Sequence, residues 1–149
     1  MEKQLAQLMR NLKFYFWLLF LGSAAMGISL MLFIPELTIN EEVSVRIRTA
    51  AIVSLLGLIP LGLWLYNKKV VSATLPDDAK QRASLIFKWF MIRFALIDTV
   101  FYFNMIVYAL TRDTSLLYGT GIAFLFLFFL CKPNKIEITQ LLTNEQEDE

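Results

Sequence analysis

Phe14 to Ile34 reads FYFWLLFLGSAAMGISLMLFI, 21 consecutive residues without a charge. At about 1.5 Å of rise per residue, a helix of that length matches the roughly 30 Å hydrocarbon core of a bilayer. The run decides the fold class. In lipid every backbone polar group must find its partner inside the chain, and a helix achieves that within one segment. Lys3, Arg10 and Lys13 ahead of the run, and Gly22-Ser23-Ala24-Ala25 within it, would also suit a signal peptide. The apolar stretch continues nine residues past Ala25, so an uncleaved first transmembrane helix over 14–34 is expected. Upstream, Leu5, Leu8, Met9 and Leu12 fall at i, i+3, i+4 and i+7. That spacing predicts a short amphipathic segment over 3–13, lying at the interface or extending the helix.

Three more spans follow. After Pro35 and an acidic connection of Glu36, Asn40, Glu41 and Glu42, Thr49 to Tyr66 is 18 residues without a charge, with Pro60 inside it as an expected kink. Thr74-Leu75-Pro76-Asp77-Asp78 has helix-start chemistry, a proline in the first turn and two acids against the positive end of the dipole. A helix starting there should enter the membrane as span 3, Trp89 to Leu110. Thr111 to Ser115 makes a tight turn, and Leu116 to Cys131 returns as span 4. Lys132-Pro133-Asn134 then breaks the chain, a short amphipathic helix is expected over Lys135 to Leu142, and 143–149 reads as an acidic, solvated tail. The expected architecture is all-α, one domain over 1–149, an integral membrane bundle of four transmembrane helices.

Composition agrees, with 57% apolar, 14% aromatic and 18% charged residues and a formal charge of +1. That balance gives no field for nucleic acid. The absence of histidine removes imidazole bases and ligands, and a single cysteine, Cys131, excludes an internal disulfide and reads as a small apolar filler. No nucleophile–base pair, phosphate loop or metal-ligand spacing is present, so no catalytic residue, metal or cofactor is expected. Ten lysines and arginines fall on the side of the termini and of the connection between spans 2 and 3. Arg46, Arg48 and Arg112 lie on the other. The asymmetry predicts a multi-pass protein of the cell inner membrane with both termini cytoplasmic.

The candidate chemistry lies in span 3. Asp98 is about 14 Å of rise past Trp89, near the bilayer centre, where a carboxylate must either take up a proton or find a partner. It reads equally as an ion or proton site and as a hydrogen-bonded acid that joins helices. Tyr102, at i+4, shares its face. Arg93, five residues into the span, is expected to snorkel to the headgroups. Arg93 and Asn104 fall within about 20° of one another, so span 3 carries two polar stripes and should sit centrally in the bundle or at an oligomer seam. Ser23 with Gly27, Ala25 with Ser29, Ala50 with Ser54, and Gly119 with Ala123 have the spacing that lets backbones approach closely. The aromatic runs FYFW and LFLFFL are expected to face lipid, with Tyr15, Trp17, Trp64, Tyr66 and Trp89 near interfaces.

Residues 79–142, AKQRASLIFKWFMIRFALIDTVFYFNMIVYALT followed by an apolar helix and CKPNKIEITQLL, resemble an uncharacterised family of small four-helix bacterial inner-membrane proteins. Arg93, Asp98, Phe103, Lys132 and Pro133 carry the likeness; where the family has Glu followed by Gly, this chain has Asp98-Thr99. Span 3 is also similar, more faintly, to the ion-carrying helix of rotary ATPase proteolipids. It departs from them in carrying Arg93 and in lacking a glycine-rich partner helix. The expected function is a non-enzymatic membrane protein whose partners are the lipid bilayer and a second copy or larger membrane complex. The alternative is a proton or ion translocating component using Asp98.

Overall fold

The computed structural model describes residues 2–33, 35, 40–72, 76 and 78–143. In chain order these form α1 (Glu2–Phe33), α2 (Glu41–Tyr66) with a π-helical continuation over Asn67–Val71, α3 (Ala79–Thr111), α4 (Thr114–Cys131) and α5 (Lys135–Thr143). α1 to α4 are each long and apolar enough to cross a membrane, and the chain is an all-α, multi-pass bundle. Residues 2–13 are the first turns of α1, without a break before the apolar run. Leu8, Met9 and Leu12 are buried, so the amphipathic face packs into the bundle and does not lie at an interface.

Caps set the ends that hydropathy alone misplaces. α2 begins well before Thr49, because the Asn40 side chain accepts the Glu42 N–H at 3.3 Å and Glu41 and Glu42 occupy the positive end of the dipole. Two acids expected in a connection are therefore helix. α3 begins at Ala79, where Asp78 accepts the Lys80 N–H at 3.1 Å; Pro76 lies before the helix and not in its first turn. Arg112 ends α3 in the left-handed conformation at φ 55°, and Asp113 at once caps α4 by accepting the Ser115 N–H at 2.9 Å. That turn is also pinned from outside: Arg48 Nη1 donates to Asp113 Oδ2 at 2.6 Å, and Arg112 Nη1 to the Met31 carbonyl at 3.4 Å. Glu36, Asp77 and the tail beyond Thr143 lie outside the described residues.

α3 is the axle. It packs along α1, α2 and α4, whereas α1 and α2 scarcely meet one another. Half of its most apolar 18-residue stretch is buried, against 22%, 22% and 28% in the other three spans. On the α1 side, Gly27 makes the approach possible: a Cβ there would stand 2.9 Å from Phe101 Cζ and 3.1 Å from Met105 Cε. On the α2 side, Gly62 faces Leu96, and a Cβ there would make an ordinary contact at 3.5 Å. Part of the aromatic load is core and not lipid surface. Phe16 and Phe20 of α1 stack at 5.7 Å between centroids; Phe20 stacks on Phe124 of α4 at 4.4 Å, and Phe16 meets Phe94 of α3 edge-on at 6.2 Å. Tyr66 is likewise buried and is no interfacial anchor.

The small-residue pairs divide. Ser23 with Gly27, and Gly119 with Ala123, face the bundle; Ala25 is exposed, and Ser29 bonds back to its own helix. Ala50 is exposed and its neighbour Ala51 is fully buried, so α2 is turned by one position from the expected pair. Ser54 bonds the Ala51 carbonyl of its own helix. α5 folds back across the end of the bundle that carries the termini and buries Ile138, Leu141 and Leu142 against α1 and α3. Arg82, itself buried, fastens it, with Nη1 donating to the Leu142 carbonyl at 2.6 Å and Nε to the Pro76 carbonyl at 2.9 Å.

Two measurements check this packing. Gly27→Leu should lower the melting temperature in detergent by several degrees, the consequence of roughly 1–3 kcal/mol of overpacking. Gly22→Leu, at a position with nothing within 4 Å, should not; equal effects of the two would remove Gly27 from the α1–α3 contact. The second concerns the outer turn, where the hydrogen bond from Arg48 holds the Asp113 carboxyl below its ordinary value. A lowered folded value means that the stabilisation is complete above the unfolded value of about 3.9 and is lost as pH falls through the folded one. The difference in stability between wild type and Asp113→Asn, which keeps the cap, should be at most about 1 kcal/mol at neutral pH for so exposed a pair. It should begin to shrink as the pH falls below about 4 and vanish once the pH is below the folded value. A difference that persists there would show that the ion pair is not its source.

Candidate functional site

The polar side chains of α3 do not converge on one point. Each meets a different neighbour. Asp98, half-buried near the middle of α3, faces α1. The Ser23 hydroxyl donates to Asp98 Oδ1 at 2.7 Å and also stands 2.9 Å from the Leu19 carbonyl of its own helix; the Tyr102 hydroxyl donates to Ser23 Oγ at 3.3 Å. Among the described residues Ser23 is the one hydrogen-bond partner of the carboxyl.

Counting protons tells what this arrangement can do. A serine hydroxyl has one proton and two lone pairs. If Asp98 is ionised, that proton has two acceptors within reach and serves one, leaving a carboxylate in an apolar setting with a single donor. With a proton on the carboxyl the competition disappears. Asp98 then donates to Ser23, Ser23 donates to Leu19, Tyr102 donates to Ser23, and every contact in the group is a hydrogen bond. Such a neutral group joins α1 to α3 without burying a charge.

Asn104, 1% exposed, faces the opposite way. Its amide donates to the Val100 carbonyl of its own helix at 3.0 Å and to the Ala51 carbonyl of α2 at 3.3 Å. Gly119 of α4 leaves room for it, since a Cβ there would stand 3.3 Å from Asn104 Oδ1. One amide therefore sits where three helices meet.

Arg93 does not snorkel. At 7% exposure its guanidinium lies over the Tyr66 ring of α2, 3.9 Å from the centroid, with Phe90 at 5.7 Å on its other flank. Cys131, the buried end of α4, adjoins the guanidinium, and Glu137 of α5 acts electrostatically on Tyr66. Arg93 Nε and Tyr66 Oη have no hydrogen-bond partner among the described residues. Burial overturns the snorkelling expectation: the side chain is enclosed by the bundle, and the tyrosine face supplies the attraction that headgroups would have given.

Arg93 and Asn104 thus share the side toward α2 and α4, while Asp98 and Tyr102 share the side toward α1. Ala51, Arg82 and Glu137 are not singled out by the sequence, and Tyr66 reads there only as an interfacial ring. Tyr66 followed an apolar run beside two lysines, the usual position of an interfacial ring, and nothing along the chain brings Glu137 near it. No group of three or more His, Cys, Asp or Glu placed to hold a metal occurs among the described residues. No protein-family model, curated protein or solved structure matches the chain.

The proton count has a direct consequence. Asp98→Asn keeps the shape and a donor to Ser23, and its unfolding free energy should equal that of the wild type to within about 0.6 kcal/mol, a typical membrane hydrogen bond. The difference between the two should stay flat from about pH 5 to pH 8, the range in which an acid titrating near neutrality would reveal itself. The infrared band of a protonated carboxyl should be present in the wild type and lost in the variant. A wild type that gains or loses stability against Asp98→Asn across that range would contradict a neutral Asp98.

Proposed function

We propose that this chain is a non-enzymatic inner-membrane protein, an accessory or interaction subunit whose own bundle is held together by the polar side chains of α3. One observation carries the reading: the polar side chains of α3 are engaged within the same chain, Asp98 with α1 and Asn104 and Arg93 with two separate points of α2, an arrangement suited to assembly. The side of α3 left open between α1 and α2 is the surface for a partner. Ala95, Thr99, Phe103 and Ile106 are exposed there and fall within about 80° of arc, a strip with Thr99 at its centre, its hydroxyl already satisfied by the Ala95 carbonyl. A second copy of this chain, or a helix of a larger membrane complex, fits that strip.

The ten basic side chains gathered at the end of the bundle with α5 support an orientation with both termini in the cytoplasm. The likeness of residues 79–142 to small four-helix inner-membrane proteins agrees with that compartment. Ion translocation by Asp98 is the competing reading, and the same preparation tests both.

With Cys131 replaced, Thr99→Cys should give cross-linked product in native membranes, and Leu125→Cys, on the outer face of α4, should give much less. Equal yields from the two would remove the strip as the interface. Labelling from outside intact cells should reach a cysteine at Ser115 and not one at Thr143; the reverse would invert the orientation. Proton or sodium flux in reconstituted vesicles that Asp98→Asn abolishes would replace the subunit reading with the transport one.

A further inference from the structure

Where α1 and α3 leave the apolar zone toward the termini, a groove of about 380 Å³ lies between them. Its lining changes in chemistry along its length. At the inner end Tyr15 of α1 and Phe87 of α3 meet edge-on at 5.5 Å, close to where the charge-free runs of both helices start. Asn11 and Ser84 lie one turn further out, Gln7 and Lys80 two turns, which is roughly 5 and 10 Å along the helices. Among the described residues none of these four polar side chains has a hydrogen-bond or ion-pair partner. Among the described residues no acidic side chain lines the groove.

We propose that this groove binds the headgroup of an anionic phospholipid: the phosphate on Lys80 with Asn11, Gln7 and Ser84 as hydrogen-bond donors, and the glycerol and first methylenes on the Tyr15–Phe87 edge. Three features select that occupant. The gradient from apolar floor to polar mouth runs along the helices, and therefore along the bilayer normal, in the sense in which a phospholipid changes from acyl chain to phosphate. The polar groups are one fixed cation and neutral donors, a set that satisfies phosphate oxygens and offers a choline no counter-charge. The volume is that of an ordinary ligand site, and basic recesses between transmembrane helices at the membrane surface take up anionic headgroups. The proposal rests on α1 to α4 crossing a bilayer. It does not depend on which face is cytoplasmic or on self-association through α3.

Native mass spectrometry of the full-length chain in detergent, titrated with phosphatidylglycerol and with phosphatidylcholine, tests it. The wild type should hold one phosphatidylglycerol at least fivefold more tightly than phosphatidylcholine, and Lys80→Glu should lose that preference. Lys132→Glu, a basic position at the same end but outside the groove, should keep it. Ser84→Leu, which fills the groove and leaves the charge, should weaken both lipids at this site; it keeps the test open if Lys80→Glu misfolds. Equal binding of the two lipids by the wild type would overturn the proposal. So would a Lys80→Glu variant that binds like the wild type, or equal losses in the Lys80 and Lys132 variants. Glycerol 3-phosphate displacing the lipid stoichiometrically would show that a soluble phosphate is the ligand and would overturn the lipid assignment. Because the readout is lipid stoichiometry on the solubilised chain, absence of a Thr99 cross-link would leave it unaffected.

Discussion

Lipid gives a polar side chain nothing to bond to, and the bundle is organised around that constraint. α3 carries an acid, an amide and a guanidinium at membrane depth, so it must be surrounded by groups that can receive them. Ser23 on α1, the Ala51 carbonyl on α2 and the Tyr66 ring at the end of α2 are those groups, and Gly119 on α4 leaves the space for the amide. Outward-facing leucines and phenylalanines hold the other three helices in the bilayer but discriminate weakly among packing arrangements, because lipid tails suit them as well as other helices do. The polar contacts supply the discrimination, and α3 becomes central as a result.

Much of this is readable along the chain. The four spans follow from apolar length, and the central place of α3 follows from polar residues at two angular positions on one helix, an arrangement that needs protein on more than one side. The readings that failed share a cause. Hydropathy is averaged over a window, whereas a cap such as Asn40 or Asp78 is a single side-chain contact, so α2 runs longer toward its start than the apolar run. Ala50 and Ala51 are indistinguishable by composition, and only the position of α3 decides which faces inward. Arg93 looked free to reach water because nothing in its own helix opposes that. Its confinement depends on Tyr66, 27 positions earlier.

Aromatic side chains behaved similarly. FYFW and LFLFFL contain both lipid-facing and core rings, separated by the helical period. Phe14 and Phe129 are exposed, while Phe16 and Phe128 turn inward and, with the adjoining Phe20 and Phe124, interdigitate between α1 and α4. That aromatic contact closes the bundle on the side where polar links are absent. The two kinds of cohesion are thus spatially separate, hydrogen bonds around α3 and ring stacking between its neighbours.

The near absence of contact between α1 and α2 bears on how the protein is made. A chain emerging from a ribosome delivers α1 and then α2 to the membrane, and neither offers the other a surface to pack on. Both must remain as separate lipid-solvated spans until α3 is released, when Gly27 and Gly62 can each seat against it. Assembly is therefore held back until α3, Ala79–Thr111, has been synthesised. α5 can dock only after that, because Arg82, which grips its final turn, belongs to the same late helix. The order of biosynthesis and the order of packing differ, and the third helix is the step at which they come together.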